Sequence, residues 1–240
     1  MKRLCMVMAA LSASLGACDA APVGAEQPRN EAFLLVDLSE TWNNPGFTAR
    51  NQRTLEEIGE GLGLAADVLE PPYLIQYRII GAASYEREPV CDVEYVPSLL
   101  SSGKGNARRV SRPTKLRGYL RDCAGLVLSK PAESQTEISA ALRSIADQPK
   151  APEARRRVIV ASDFLEESLS QVRFSSGSFS GTDILLLYRP LAADQIRPSE
   201  TISRVQSWRE RLERAGAHVE VMPDTTLRRS QIAAFITVKN

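Results

Sequence analysis

The stretch "FLLVDLSET", residues 33–41, places four consecutive apolar residues before a sharp change to oxygen-bearing side chains. Consecutive apolar positions are typical of a parallel strand that is covered on both faces. Asp37 ends the apolar run, and Ser39 and Thr41 follow it at alternate positions. The stretch therefore predicts a buried strand whose carboxyl end presents a carboxylate and two hydroxyl groups.

Four later apolar runs repeat the pattern of a buried strand. They are "YLIQYRII" at 73–80, "RVIVA" at 157–161, "DILLLY" at 183–188 and "HVEVM" at 218–222. Segments with apolar residues at helical spacing lie around them, at residues 55–69, 138–145, 202–215 and 227–236. Alternation of strands and helices is typical of α/β domains. We therefore expect a doubly wound, mostly parallel central sheet flanked by helices, of the Rossmann-like class.

The first residues have the composition of a targeting signal and not of a folded domain. Lys2 and Arg3 precede an apolar run that ends at Ala17, which is shorter than the roughly 20 residues of a membrane-spanning helix. We therefore expect residues 1–17 to be a signal peptide, and we expect no membrane span in the mature protein.

The end of this signal, Leu15-Gly16-Ala17-Cys18, resembles the lipobox of bacterial lipoproteins. The resemblance implies that Cys18 carries the lipid anchor, and Asp19 resembles the residue that retains such proteins in the inner membrane, facing the periplasm. Residues 18–30 then form the anchor and a tether, and residues 31–240 form one domain. The alternative is an ordinary secretory signal in which Cys18 has no role.

The charge of the chain excludes one class of partner. The formal net charge is +1, and it becomes −1 when Lys2 and Arg3 are removed with the signal. A nearly neutral chain lacks the strong positive charge of a general nucleic-acid binder. We therefore expect no nucleic-acid partner.

Cys91 and Cys123 are the cysteines of the expected domain. A lone pair of cysteines in an oxidising compartment most often forms a disulfide. A reactive thiol would need a nearby base, and the single histidine of the chain, His218, lies at the start of a predicted strand. The same count excludes a zinc site of the usual cysteine and histidine spacing.

Residues 84–133 do not follow the alternation of strands and helices. Seven cations and no acids lie between Lys104 and Arg121. We interpret this segment as a basic insertion that the Cys91 to Cys123 disulfide staples, with a basic loop at its tip. The loop is either an electropositive patch for anionic lipid headgroups or an acidic partner, or a solvated loop without a partner.

Oxygen-bearing side chains follow several of the predicted strands. Because ligands of open α/β sheets bind at the carboxyl ends of the strands, these side chains are expected to lie at one edge. Carboxylate and hydroxyl oxygens, without thiolate or imidazole, suit a hard ion such as Mg²⁺ or Mn²⁺. The candidate ligands are Asp37, Ser39 and Thr41 after the first run, Asp163 after "RVIVA", and Thr136 in "SQTEISAAL" at a helix entrance.

Over roughly residues 31–225 the chain resembles a von Willebrand factor A domain. The segment from Asp37 to Thr41 resembles the Asp-x-Ser-x-Ser element of the metal-ion-dependent adhesion site (MIDAS) in that family, with Thr41 in place of the last serine. Thr136 and Asp163 resemble its second and third elements, because they lie at a helix entrance and at a strand end.

The resemblance implies a role for each candidate ligand. Ser39 and Thr41 bind the ion directly, Thr136 binds directly or through water, and Asp37 and Asp163 bind largely through water. A carboxylate from a partner protein takes the open coordination position. The resemblance therefore implies a non-catalytic interaction protein.

Two other functions start from the same residues. An Asp-x-Asp-x-Thr strand end resembles the haloacid dehalogenase phosphatases, but Ser39 replaces the second aspartate, which is the proton donor for the leaving group. The other alternative is a metal-free von Willebrand factor A type domain that acts as an assembly module of the cell envelope.

Overall fold

The structure is a computed structural model that describes residues 29–40, 45–69, 71–96, 108–166, 173–189 and 198–238. Seven strands form one sheet in the order β4-β3-β2-β1-β5-β6-β7. They are β1 (Asn30–Asp37), β2 (Tyr73–Ile80), β3 (Cys91–Tyr95), β4 (Arg108–Val110), β5 (Arg155–Ser162), β6 (Thr182–Tyr188) and β7 (His218–Pro223).

Five helices flank the sheet, together with short 3-10 turns at Pro45–Phe47 and Asp224–Thr226. The helices are α1 (Thr48–Ala65), α2 (Pro113–Leu128), α3 (Ile138–Ala146), α4 (Pro198–Arg214) and α5 (Arg229–Thr237). Every strand and helix that the apolar patterns predict is present. The predicted fold class, a doubly wound and mostly parallel sheet, is confirmed.

Strand β1 lies at the centre of the sheet, with parallel neighbours β2 and β5 on its two sides. Strands β6 and β7 continue the parallel arrangement, whereas β3 runs antiparallel to β2. Asp37, Ser162, Tyr188 and Pro223 therefore end their strands on one side, which we term the carboxyl edge. The opposite side, where Asn30, Arg155, Thr182 and His218 begin their strands, is the amino edge.

The apolar run of β1 is continuous because helices cover both faces of the sheet. Leu34 and Val36 belong to a core that β1 shares with α1, α2 and α5. Phe33 and Leu35 point to the other face and belong to a core with α3 and α4. Because successive side chains of a strand point to opposite faces, β1 contributes residues to both apolar cores.

Residues 84–133 contain two strands and one helix that the sequence pattern did not indicate. Strand β3 pairs with β2, and α2 buries Leu116, Leu120 and Val127 in the core beside α1. Cys91 in β3 and Cys123 in α2 form the predicted disulfide, with their Cα atoms 5.7 Å apart. Residues 97–107, within the predicted basic loop, lie outside the described residues.

The predicted signal peptide and Cys18 also lie outside the described residues. Within the part of the chain that the structure describes, no helix combines the length and apolar character needed to cross a bilayer.

Candidate functional site

Asp37 is the central acid of the carboxyl edge. Its side chain is fully buried at the last position of β1. Oδ1 accepts a hydrogen bond of 2.8 Å from the backbone N–H of Ser39, and Oδ2 accepts one of 2.6 Å from the Ser162 hydroxyl. The carboxylate is therefore held between the ends of two neighbouring strands.

The turn after β5 fixes Asp163 beside Asp37. Asp163 is buried, and its Oδ1 accepts a 2.9 Å hydrogen bond from the N–H of Leu165. The hydroxyl oxygen of Ser162 accepts a 2.9 Å hydrogen bond from the N–H of Phe164. Both side chains therefore bond the backbone two residues ahead, as serine and aspartate commonly do in turns.

Phe164 has a φ of 61°, a conformation that a bulky side chain rarely adopts. Helix α4 holds the backbone here. The Trp208 indole N–H donates a 3.2 Å hydrogen bond to the Phe164 carbonyl, and Arg204 Nε donates one of 2.9 Å to the Asp163 carbonyl. Such strained positions persist when the surrounding structure determines them and are concentrated at functional sites. The turn therefore presents Asp163 in one fixed geometry.

The two acids of this edge influence each other. The pKa of Asp37 is raised from 3.8 to about 6, mainly by burial and secondly by the nearby charge of Asp163. Hydrogen bonds from Ser162 and Ser39 oppose this change. A cation near both carboxylates would favour the ionised form of Asp37, because opposite charge lowers the pKa of an acid.

The carboxyl edge contains a second charged cluster, which the motifs in the sequence did not indicate. Arg189 directly follows β6 and is buried together with Asp224, which directly follows β7. Arg189 Nε lies 2.8 Å from Asp224 Oδ2, and Arg189 also donates a 2.6 Å hydrogen bond to Asn51 Oδ1 in α1. Arg50 pairs with the other oxygen of Asp224. Both could have been found by examining the residues after each apolar run, because Arg189 is the first residue after 183–188 and Asp224 the second after 218–222.

Arg189 also brings positive charge toward the predicted site. Burial lowers the pKa of Arg189, while the charges of Asp224 and, more weakly, Asp163 act in the opposite direction. The edge therefore carries its own guanidinium group among the buried acids.

The structure places the other predicted ligands as follows. Ser39 is buried and pairs with Glu133 in an isolated bridge, in which the Glu133 N–H donates to the Leu38 carbonyl at 2.8 Å. This contact brings the segment before α3 to the end of β1, and Thr136 is buried three residues farther along it. Thr41 lies outside the described residues.

The chemistry of these donors fits a hard divalent ion. In the described residues, no group of three or more acidic, histidine or cysteine side chains is arranged to hold a metal. The predicted set differs from such a group, because it combines two carboxylates with hydroxyl oxygens. The carboxylate of Asp37 accepts hydrogen bonds from the Ser39 backbone N–H, the Ser39 side chain and the Ser162 hydroxyl. A carboxylate has about four lone-pair sites, so one more partner can bind. Oxygen donors of this kind suit Mg²⁺ or Mn²⁺ with water completing the coordination.

No family model and no curated protein matches the chain. Solved structures with a similar fold include a von Willebrand factor type A protein from Catenulispora acidiphila, at 16% identity and a TM-score of 0.47, over 87% of this chain and 43% of that one. An aerotolerance-related membrane protein from Bacteroides fragilis matches at 12% identity and a TM-score of 0.41, over 86% of this chain and 96% of that one. The manganese-loaded TRAP protein of Plasmodium vivax matches at 16% identity and a TM-score of 0.39, over 87% and 62%.

The chain is similar to von Willebrand factor A proteins of known structure. It spans less than half of the Catenulispora protein and nearly all of the Bacteroides protein. Identities this low concern the fold alone.

Proposed function

We propose that the protein is a non-catalytic interaction module of the cell envelope. In this proposal, Mg²⁺ or Mn²⁺ binds at the carboxyl edge, and a carboxylate of a partner protein completes its coordination. Cys18 carries the lipid that holds the domain at the inner membrane, on the periplasmic side.

The observation that carries the proposal is the pair of buried acids Asp37 and Asp163 at the ends of β1 and β5. Burial, and secondly repulsion between the two carboxylates, makes the ionised form of Asp37 costly, and its pKa is raised accordingly. Hydrogen bonds nevertheless fix both acids. Ser39 and Ser162 donate to Asp37, and Leu165 donates to Asp163. Phe164 donates to Ser162 and so fixes the serine that holds Asp37. An arrangement that is costly without a cation and yet held rigidly is typical of a preorganised binding site.

Each residue of the proposed site has a distinct role. Ser39, Thr41 and Thr136 supply neutral hydroxyl oxygens, and Asp37 and Asp163 supply charge. The ion supplies an electrophilic position for an external anion, because few negative charges bind it directly. Ser162 orients Asp37, and the turn at Phe164 orients Asp163.

The same geometry argues against a phosphatase. Ser39 occupies the position of the proton donor, and serine does not perform that role at neutral pH. Of the later acids, Glu166 already accepts two 2.7 Å hydrogen bonds from the N–H and hydroxyl of Ser139 at the start of α3. Glu166 therefore caps α3, and these contacts give it a structural role.

A second candidate function rests on Arg189. Its buried guanidinium group supplies a fixed positive charge at the carboxyl edge, where Asp163 is one of the acids that act on it. In this candidate the domain is a metal-free assembly module, and Arg189 offsets part of the acidic charge that an ion would otherwise balance.

Metal titration separates the two candidates. We expect millimolar Mg²⁺ or Mn²⁺ to stabilise the wild-type chain against heat, because a ligand that binds only the folded state contributes about 2.7 kcal/mol at one hundred times its dissociation constant. Asp163→Asn should lose this stabilisation. Glu213→Gln, which changes an exposed acid in α4, is the matched control and should keep it. A wild-type melting temperature that metal leaves unchanged contradicts the metal site and favours the metal-free module.

The partner and the anchor need separate measurements. Capture of the protein from its own envelope with and without chelator should show a co-purifying protein that chelator releases. Cys18→Ser should move the protein from the membrane fraction to the soluble fraction. A wild-type protein found only in the soluble fraction contradicts the lipid anchor.

A further inference from the structure

The amino edge contains a basic cleft of about 360 Å³. It lies at the opposite end of the strands from Asp37 and Asp163. Its charged lining consists of four groups that are or can become cations, together with one acid, and these are Lys150, Arg155, Arg157, His218 and Asp183.

Arg157 and Asp183 form the neutral floor of this amino-edge cleft. Arg157 is buried, and its guanidinium group donates to the carbonyls of Phe235 at 2.9 Å and Val238 at 2.6 Å. It also lies 3.2 Å from Asp183, whose other oxygen lies 3.5 Å from Nδ1 of His218. The acid of the cleft is therefore already engaged by Arg157 and His218.

Lys150 and Arg155 carry the charge that remains. Lys150 is half-buried, and its ammonium group donates to the carbonyls of Ser180 and Gly181 at 3.3 and 3.2 Å. Arg155 is also half-buried, and across the described ranges neither side chain is paired with an acid. An ammonium group has three donors and a guanidinium group has five, so both retain donors for an anion.

The backbone just before Lys150 is held in place by Arg156. Arg156 is buried on the other face of β5, where it donates to the carbonyls of Ile145 at 2.7 Å, Gln148 at 3.1 Å and Pro149 at 3.1 Å. A 2.7 Å ion pair with Glu31 in β1 holds Arg156 in turn. The backbone next to Lys150 is therefore tied to the sheet, which makes the cleft a built feature.

The amino edge is also where the chain enters the sheet. Asn30 starts β1 opposite Arg155, and the N–H of Arg155 donates to the carbonyl of Arg29 at 2.9 Å. From Cys18 to Arg29 the chain can span at most about 40 Å. Strands of eight residues separate the two edges by about 25 Å. A lipid on Cys18 therefore keeps the amino edge within reach of the membrane.

We propose that the amino-edge cleft binds the phosphate of anionic phospholipid headgroups, through Lys150 and Arg155. The proposal rests on the proposed anchor at Cys18 for its proximity to the bilayer, and it is independent of the metal. Headgroup binding orients the domain with the carboxyl edge away from the membrane, where a partner can reach the proposed metal site. The exposed acids Glu153 and Glu220 near this edge set a limit on how closely it approaches an anionic surface.

Vesicle sedimentation tests the proposal without the lipid anchor. Residues 19–240, which include every described element, are mixed with vesicles of phosphatidylcholine alone or with phosphatidylglycerol at 30 mole per cent. We expect binding only to the anionic vesicles. The double variant Lys150→Gln, Arg155→Gln should bind about 30-fold more weakly, since each basic residue near an anionic surface contributes about fivefold.

Two further variants distinguish charge in the cleft from charge elsewhere. Lys150→Arg with Arg155→Lys keeps both charges and should restore binding, with folding checked by circular dichroism. Arg209→Gln with Arg214→Gln removes two surface charges from α4 and should leave binding unchanged. Chelator should have no effect, so failure of the metal proposal and failure of this one give different results.

Three results would overturn the proposal. The first is a Lys150→Gln, Arg155→Gln variant that binds anionic vesicles as well as the wild type does. The second is loss of vesicle binding only when Lys104, Arg108 and Arg109 are replaced by glutamine, which would assign the membrane contact to the basic loop. The third is stabilisation by inorganic phosphate that depends on Lys150 and Arg155 without any vesicle binding, which would assign the cleft to a free phosphate ligand.

Discussion

The two edges of the sheet differ in how far their charged side chains are buried. At the carboxyl edge the acids Asp37, Asp163 and Asp224 are buried, and fixed hydrogen bonds or arginines surround them. At the amino edge Lys150 and Arg155 are half-buried and face an open cleft. Charges of the first kind are part of the stability of the fold, because removing one partner leaves the other buried. Charges of the second kind are available to a ligand at little cost to the fold.

Three consecutive arginines in β5 include both buried charges and a charge that faces the cleft. Arg156 points to the face of α3 and forms a buried pair with Glu31. Arg155 and Arg157 point to the other face, where Arg157 is buried under α5 and Arg155 is left beside the cleft. Identical side chains therefore differ in function because they differ in position along a pleated strand.

The largest effect should come from the buried arginine of the carboxyl edge. Arg189→Met leaves Asp224 with Arg50 as its remaining ion-pair partner among the described residues, and leaves Asn51 Oδ1 without this donor. We expect a loss of about 4 kcal/mol in the free energy of unfolding, the range for breaking a buried ion pair. Urea denaturation of both proteins measures the difference.

Arg209→Met is the control for this substitution. It breaks the exposed i,i+4 pair with Glu213 in α4, which is expected to contribute at most about 0.5 kcal/mol. Equal losses in the two variants would show that the carboxyl edge does not depend on Arg189.

A smaller, pH-dependent effect should come from Asp37. Its folded-state pKa of about 6 is raised above the ordinary 3.8, so the folded chain holds the proton more tightly than the unfolded chain does. The stability that this proton contributes is fully present below about pH 4 and is lost as the pH rises through 6. In chelator, Asp37→Asn should therefore gain about 3 kcal/mol relative to wild type between pH 4 and 8.

Urea denaturation of both chains across that pH range measures the change, and groups that titrate alike in both proteins cancel. Asparagine keeps the acceptor for the Ser39 N–H, which makes it a close isostere at this position. A difference between the two chains that is constant with pH contradicts the raised pKa of Asp37.

The smallest effect should come from the amino edge. Arg155→Gln removes a side chain that has no acidic partner within the described ranges and leaves the β1 to β5 hydrogen bonds intact. We expect a change below about 0.5 kcal/mol in the free energy of unfolding. The same denaturation experiment as for Arg189→Met checks this, and a loss of several kcal/mol would remove the contrast between the edges.

Most of the sheet could be predicted from the sequence because its strands are apolar at consecutive positions. The strands β3 and β4 could not, because "CDVEY" of β3 alternates apolar and acidic residues, and the edge strand β4 is only three residues long. Helix α2 was not predicted because its many cations suggested a basic loop. Its buried positions, Leu116, Leu120, Cys123 and Val127, do follow helical spacing, and Pro113 stands at its first turn, where proline is favoured.

The candidate site was predictable in part for a related reason. Asp37 and Asp163 end apolar runs, and the rule that ligands lie at the carboxyl ends of strands was enough to select them. Arg189 and Asp224 obey the same rule and were missed, because a search for oxygen ligands excludes a cation and the acid that neutralises it. The contacts between them depend on α1, whose Asn51 and Arg50 are distant in sequence and give no local signal.

The central place of β1 has a mechanical consequence. Tension on the chain ahead of Asn30 acts along the axis of a strand that β2 and β5 bond on both sides. The hydrogen bonds of two parallel ladders then resist together in shear, whereas those of an edge strand would open one after another. Strand β1 has eight residues and ends at Asp37, so a pull applied ahead of Asn30 reaches the carboxyl edge along the central strand of the sheet.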